Sequence, residues 1–449
     1  MVRSLVSAPT RHRTTAVLAV AVGLVLSSLV IGALGGTSTP LGTQANHGTP
    51  RMAPSIGSEL TQAESSLAKG DGPARGTDLS CRANQGPTTA ACVVGDGSPV
   101  SSGSSPTYPN PRWGAELTYD AADGYLLMLG ASTQNQNIWS FSGGVWTEQS
   151  SAHSPSGRTW TCLTYDWSDG YVLLFGGGKG GIGTPTEELN DTWTYKAGVW
   201  TNITNAADSP PALIYPSCTY DSAPGDGYVL LFGGATGVGP GTTGSSGLTV
   251  RTSNQTWEFH AGHWTNLTNY SAAHPSSRFG AAMAYDVADG YVILYGGAVN
   301  GTSTAAGFCT ASECPHLNET WKFVGGTWTN ISAPASPNGT PPGRWETSLT
   351  NDSADGYDII IGGQDNGYKS LNATGNYTWE FAAGKWTNIT AHVSLSPGTR
   401  FGAAVGYDPI NGTAVMFSGL SGTVNTPLRD DTWLFHLGAW QCLRFGELH

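Results

Sequence analysis

The sequence predicts an all-β protein, a six-bladed β-propeller, and two observations predict it. The first is a repeated tryptophan pair. Trp139/Trp146, Trp193/Trp200, Trp257/Trp264, Trp321/Trp328, Trp379/Trp386 and Trp433/Trp440 all fit the pattern W-x-[FY]-x-x-G-x-W. Six similar units in one chain mean a repeat array. The second is a short apolar run ahead of each pair: GYLLMLG at 124–130, GYVLLFGG at 170–177 and at 227–234, GYVILYGG at 290–297, GYDIIIGG at 356–363 and GTAVMFSG at 412–419. Such runs suit strands buried on both faces. Four-stranded units repeated around an axis make a propeller.

Each element follows from local chemistry. Trp and the aromatic two residues on share one strand face, because side chains alternate with period two. The Gly before the second Trp supplies a tight turn, so each pair reads as an outer β-hairpin. So many tryptophans must pack against a neighbouring unit rather than face water. The apolar run is the second strand of an inner hairpin. The first strand of that hairpin ends in Tyr119-Asp120, Tyr165-Asp166, Tyr220-Asp221, Tyr285-Asp286, Asn351-Asp352 or Tyr407-Asp408. These Asp residues read as turn caps, because a single turn offers too few oxygens for a calcium ion. Small residues in this strand, as in GAAMAY at 280–285 and GAAVGY at 402–407, suit convergence on a narrow axis.

The paired glycines after the hydrophobic strand, followed by an aromatic and a spaced Trp, resemble the kelch repeat. Gly176-Gly177, Gly233-Gly234, Gly296-Gly297 and Gly362-Gly363 match it, whereas Gly130-Ala131 and Ser418-Gly419 depart from it. The resemblance covers about 112–442 and implies the galactose oxidase-like central domain, a kelch-type propeller. It does not imply one function, because such propellers serve both as binding modules and as enzymes.

Three segments are expected: 1–36, a signal anchor or transmembrane segment; 37–111, a Ser/Thr/Gly/Pro-rich linker or stalk; and 112–449, the propeller. Arg3, Arg11, His12 and Arg13 precede the mostly apolar stretch Thr14–Leu34, which is long enough to span a bilayer. Either an uncleaved anchor or a cleaved signal peptide exports the propeller. One short helix is expected near Ser58–Lys69. The net charge of −12, with no basic run, argues against nucleic acid.

Seven cysteines suit an oxidising compartment. Cys81/Cys92 and Cys309/Cys314 read as local disulfides. Cys162 and Cys218 lie one position out of register on neighbouring inner strands, and the pleat predicts that they face apart. Cys442 is expected to be unpaired. Cys309, Cys314 and His316 fall short of a zinc set, and no cofactor is expected. Asn-x-Ser/Thr sequons recur in register at Asn202, Asn266, Asn330 and Asn388. They are candidate glycosylation sites, or they recur because the blade does.

Arg112, Arg158, Arg278, Arg344 and Arg400 each precede the Tyr-Asp position by seven residues, with Leu213 in the third unit. They share a face with the most variable loops. The expectation is a cationic ligand-binding ring, set against a role in holding blades together. Glu116 and Glu346 lie near the same strands, out of register with each other, and read as buried acids paired with the arginines. No histidines converge as copper ligands would, and the N-x-T-W segments lack the glycine turn of a sialidase Asp-box. The sequence therefore favours a non-enzymatic, membrane-anchored cell-surface module that binds a protein or glycan. The alternatives are an extracellular carbohydrate-active enzyme (copper radical oxidase or sialidase-like) and a structural coat component.

Overall fold

The computed structural model describes residues 108–443, apart from 131–137, 152, 182–183, 206–207, 223–226, 237–247, 300, 304–314, 334–338, 366–376, 394 and 421–427. The expected anchor, the helix near 58–69 and Cys81, Cys92, Cys309 and Cys314 lie outside the described residues. Among the described residues no helix is long and apolar enough to cross a membrane.

Six antiparallel four-stranded sheets follow one another along the chain. Their inner strands are Glu116–Asp120, Cys162–Asp166, Ser217–Asp221, Ala282–Asp286, Ser348–Asp352 and Ala404–Asp408. Every blade draws its four strands from one stretch of chain, so among the described residues no strand is exchanged between the ends of the propeller. Short extra strands decorate one face: Gly178–Gly181 pairs with Thr184–Glu188, and Leu248–Thr252 bridges Ala235–Thr236 to Gly301–Ser303.

The tryptophan pairs weld the blades. The turn before the second Trp has two successive residues at positive φ, as in Ala261 (49°) and Gly262 (83°). That is the type I′ geometry whose twist matches the strands it joins. The second Trp then lies against its cross-strand aromatic, as in Phe323–Trp328 with centroids 5.0 Å apart. Its other contact is the previous blade, where Phe232 lies 5.2 Å from Trp328. Its indole donates to a threonine of that same previous blade: Trp264 to Thr192 (3.0 Å), Trp328 to Thr256 (3.0 Å), Trp386 to Thr320 (2.9 Å) and Trp440 to Thr378 (3.1 Å). In the first blade the threonine position is held by Ile138, and the Trp200 indole that faces it has no hydrogen-bond partner.

The cysteine expectations need two corrections. Cys162 and Cys218 are joined in a disulfide, with Cα atoms 5.5 Å apart. The pleat sets facing within one sheet, but these two strands belong to different sheets and meet face to face. A side chain three residues before the Tyr-Asp position points forward to the next blade, as Ser217 Oγ does toward Ala281 O. One two residues before it points back. The one-residue offset is therefore what lets the sulfurs meet. Cys442 is also disulfide-bonded rather than unpaired, and its partner lies outside the described residues.

Asp120, Asp166, Asp286, Asp352 and Asp408 cap their inner turns as expected. Asp120 Oδ1 accepts from Ala122 N at 3.0 Å, and Asp408 Oδ1 accepts from Ile410 N at 3.0 Å. The tyrosines beside them reach back one blade. Tyr220 Oη lies 2.8 Å from Ser168 Oγ, and Tyr407 Oη accepts from Ala354 N at 3.0 Å. In the fifth blade Asn351 replaces the tyrosine and donates to the buried Asp358 at 2.9 Å.

Candidate functional site

The five arginines are buried, none more than 3% exposed. Each donates through Nη1 to a carbonyl eighteen residues on, at the end of its own blade's second strand: Gly130, Gly176, Gly296, Gly362 or Ser418, at 2.7–3.0 Å. Three also meet an acid of the same blade: Arg158–Asp191 (2.5 Å), Arg278–Glu319 (2.6 Å) and Arg400–Asp431 (2.6 Å). Burial alone would raise these acids; the arginines instead hold all three below the usual carboxylate range. Each acid also accepts from the first Trp of its blade, as Asp431 does from Trp433 at 2.7 Å.

Blade three supports a bracing role by substitution. Where Leu213 replaces the arginine, Gln255 replaces the acid and still accepts from Trp257 at 3.1 Å. Cation and anion are absent together, as a charge pair that serves the blade requires. In blade five Tyr377 takes the acid's place, and the Arg344 guanidinium lies over its ring at 5.9 Å. The arrangement presents no open cationic ring. It braces the strands.

The channel along the axis gathers a different set of residues. Five residues before each Tyr-Asp position stands a residue at positive φ: Gly114, Trp160, Tyr215, Gly280, Glu346 and Gly402. Their backbones form a closed belt. Each N–H donates to the preceding member's carbonyl, and Gly114 N donates to Gly402 O, at 3.0–3.1 Å throughout. The left-handed conformation suits glycine, so Trp160 (57°), Tyr215 (54°) and Glu346 (47°) are strained. The glycines also make room: a Cβ on Gly402 would overlap the indole of Trp113, and one on Gly114 that of Trp160. A buried aromatic layer of Trp113, Trp160, Phe279, Trp345 and Phe401 closes the channel at this end. Trp160 stacks on Tyr215 with centroids 4.5 Å apart.

Above the belt lies a chamber of about 140 Å³, lined by Glu116, Trp160, Tyr215 and Glu346 among small residues. It opens at a waist into a wider mouth of about 590 Å³ on the opposite face. Tyr119, Tyr165, Tyr220, Tyr285 and Tyr407 ring the mouth, with Asn351 in the sixth place and Trp167 on the rim, 56% exposed.

Glu116 and Glu346 share the chamber, and no arginine pairs with either, contrary to expectation. Glu346 Oε2 accepts from Trp113 Nε1 at 2.8 Å, whereas Oε1 is buried without a hydrogen bond. Trp160 approaches the same carboxylate, but its N–H completes no bond of good geometry. Burial raises Glu346 to about 7, against the pull of the Tyr215, Trp113 and Trp160 donors. Burial, and then the charge of Glu346, raises Glu116 to about 8. Tyr215 is raised well above its ordinary value, by burial and by Glu346. Two carboxyl groups that share one chamber are thus both raised toward neutrality.

In the sequence Glu346 stands five residues and Glu116 three residues before the Tyr-Asp position, and that offset hides the pair. The signal that could have found it is the belt position itself: three glycines, and three bulky residues where a glycine belongs. Asn202, Asn266, Asn330 and Asn388 are exposed, and each carboxamide oxygen accepts from the backbone N–H two residues on at 2.9–3.0 Å. The blade geometry accounts for their recurrence. Among the described residues no group of three or more His, Cys, Asp or Glu is placed to hold a metal ion.

The fold has solved counterparts. The structure of YjhT superposes with a TM-score of 0.51 at 14% identity, covering 76% of this chain and 99% of that one. At that identity the likeness concerns architecture, which is six-bladed. No protein-family profile matches the chain, and no curated protein does.

Proposed function

We propose that the chain is an exported surface-binding propeller whose ligand, a glycan or a protein side chain, enters the channel mouth. The observation that carries this reading is the open 590 Å³ mouth ringed by five tyrosines, with the exposed Trp167 at its rim. Pockets of this size suit small ligands. Aromatic rings offer apolar area with a polar tip, which fits sugars and side chains alike. The reading moves the ligand from the arginine face to the opposite one. Export rests on the basic-then-apolar N-terminus, and the kelch-like diglycines fit a binding scaffold. The exposed sequons suit glycosylation of a surface protein. The test is a titration of the full chain against an oligosaccharide panel, followed by tryptophan fluorescence. A ligand that binds the native chain and is lost in Trp167→Ala supports the reading. Binding indifferent to Trp167→Ala and to Tyr285→Ala removes it.

A second reading rests on the carboxyl pair. Acids raised to about 7 and 8 can give and take protons at neutral pH, as general acid–base chemistry requires. An enzyme of this kind turns over a carbohydrate substrate and loses that turnover in Glu346→Gln.

A further inference from the structure

We infer that the inner chamber seats a primary ammonium group, carried on an aminoalkyl chain or an amino sugar, between Glu116 and Glu346. The inference rests on the reading that ligands enter by the mouth, and it names the chemistry of the deepest subsite.

Three observations lead there. The first is the sign of charge. Among the described residues no Lys, Arg or His lines either the chamber or the mouth; Glu116 and Glu346 are the only carboxyl groups that do. The other titratable groups facing this space are Tyr215 below and Tyr119, Tyr165, Tyr220, Tyr285 and Tyr407 above, phenols that cannot carry a positive charge. The second is an unmet acceptor. Glu346 is 8% exposed; Trp113 holds its Oε2, and its Oε1 has no hydrogen bond of good geometry, although Tyr215 and Trp160 approach the same carboxylate. A buried carboxylate oxygen without a well-formed hydrogen bond is costly, and an ammonium brings three donors. The third is the wall. Trp160 and Tyr215 line the chamber beside the acids, and aromatic rings favour a cation over an anion.

Size and donor count narrow the class further. A space of about 140 Å³ has room for an ammonium and its first carbons. Two carboxyl groups with no further charged ligand fall short of the six to eight oxygens that calcium takes. The waist, bordered by Glu116, Leu163, Cys218, Met283, Leu349 and Val405, connects the chamber to the mouth, so the rest of a ligand can lie among the tyrosines.

Seating the cation requires the carboxyl groups to be ionised, so binding releases protons wherever they are protonated beforehand. No covalent step is involved. The experiment titrates the full chain calorimetrically with propylammonium and with 1-propanol, its neutral counterpart of similar shape, in two buffers of different ionisation enthalpy. The expected result is binding of propylammonium alone. About one proton should be released per ligand at pH 7, and affinity should rise from pH 6 to pH 8.5. Glu346→Gln and Glu116→Gln should each weaken binding at least about thirtyfold. If either variant folds poorly, the proton release and pH dependence of the native chain decide alone. Equal binding of propanol, or affinity independent of pH, overturns the ammonium site. Oligosaccharides that bind at the mouth while propylammonium does not would overturn this inference and leave the proposed function standing. Failure of both ligand classes would overturn the function as well.

Discussion

Trp146 Nε1 donates to Thr432 Oγ1 at 3.0 Å, and this bond joins the first blade to the last. The same Trp–Thr contact recurs at interior junctions, where the chain also runs from blade to blade. At this junction it is part of a closure made without strand exchange among the described residues, together with the belt and the backbone bond from Gly419 N to Arg112 O at 3.1 Å. Trp146 also packs on Phe417 with centroids 5.1 Å apart. Trp146→Phe should cost about 1 kcal/mol, the worth of one such bond, and Trp146→Ala about 3–5 kcal/mol. Hydrogen exchange should then quicken first in Glu116–Asp120 and Ala404–Asp408. Uniform quickening across all six blades would refute a closure role.

The Trp200 indole offers a control for these bonds. It occupies the same place as Trp264 but faces Ile138, where other blades carry threonine. Replacing Trp264 by Phe loses a made hydrogen bond, while the same change at Trp200 loses none. Trp200→Phe should therefore be milder by about 1 kcal/mol in urea unfolding. Equal losses at both sites would mean that the indole–threonine bonds contribute nothing net.

Arg400 and Asp431 are 1% and 6% exposed in their side chains, so breaking their pair strands a charge. Arg400→Leu alone should destabilise by about 3–5 kcal/mol. Adding Asp431→Gln reproduces the Leu213/Gln255 arrangement of blade three and should recover most of that loss. A double variant as unstable as the single one would contradict the bracing role of the arginines.

The fold is legible in the sequence because a blade is a local object. A Trp hairpin, an apolar strand and a Tyr-Asp turn each declare themselves within a few residues, and repetition does the rest. The site is less legible because it is assembled across blades. Glu116 and Glu346 come from blades one and five, Trp160 and Tyr215 from blades two and three, and only ring closure brings them together. The cysteines mislead for a related reason. Cys162 and Cys218 look mismatched under the pleat of one sheet, although facing strands of different sheets require that offset. The arginines are conspicuous, yet their periodicity reports the blade and not a ligand. Trp160, Tyr215 and Glu346 are readable in principle, as three departures from glycine at one repeat position.

The Cys162–Cys218 disulfide closes a loop across a sequence separation of 56 residues and ties blades two and three. Constraining a loop of that length stabilises by about 4 kcal/mol on the chain-entropy account. The double variant Cys162→Ala/Cys218→Ala should lower the urea midpoint accordingly. Part of any response to reductant should persist in that variant, because Cys442 is also bonded. A double variant that matches the native midpoint would show that the cross-link adds nothing to blade packing.

The carboxyl pair gives the chain a pH signature of determinable sign. Glu116 and Glu346 lie at about 8 and about 7 in the folded state, against 4.5 as ordinary values. Between those limits the folded chain holds more protons than the unfolded chain, so stability falls as pH rises. Below about 4.5 both states are protonated and this contribution levels; above about 8 both are ionised and it levels again. Buried Asp120, Asp166, Asp286 and Asp352 are raised too, by burial first, and tilt the curve in the same direction. The decisive quantity is therefore the difference between the native chain and Glu116→Gln/Glu346→Gln. Urea midpoints measured from pH 4 to pH 9 should fall less steeply for the variant, with the two curves separating progressively from about pH 5 to about pH 8. Parallel curves across that window would show that the chamber acids titrate alike in the folded and unfolded chain.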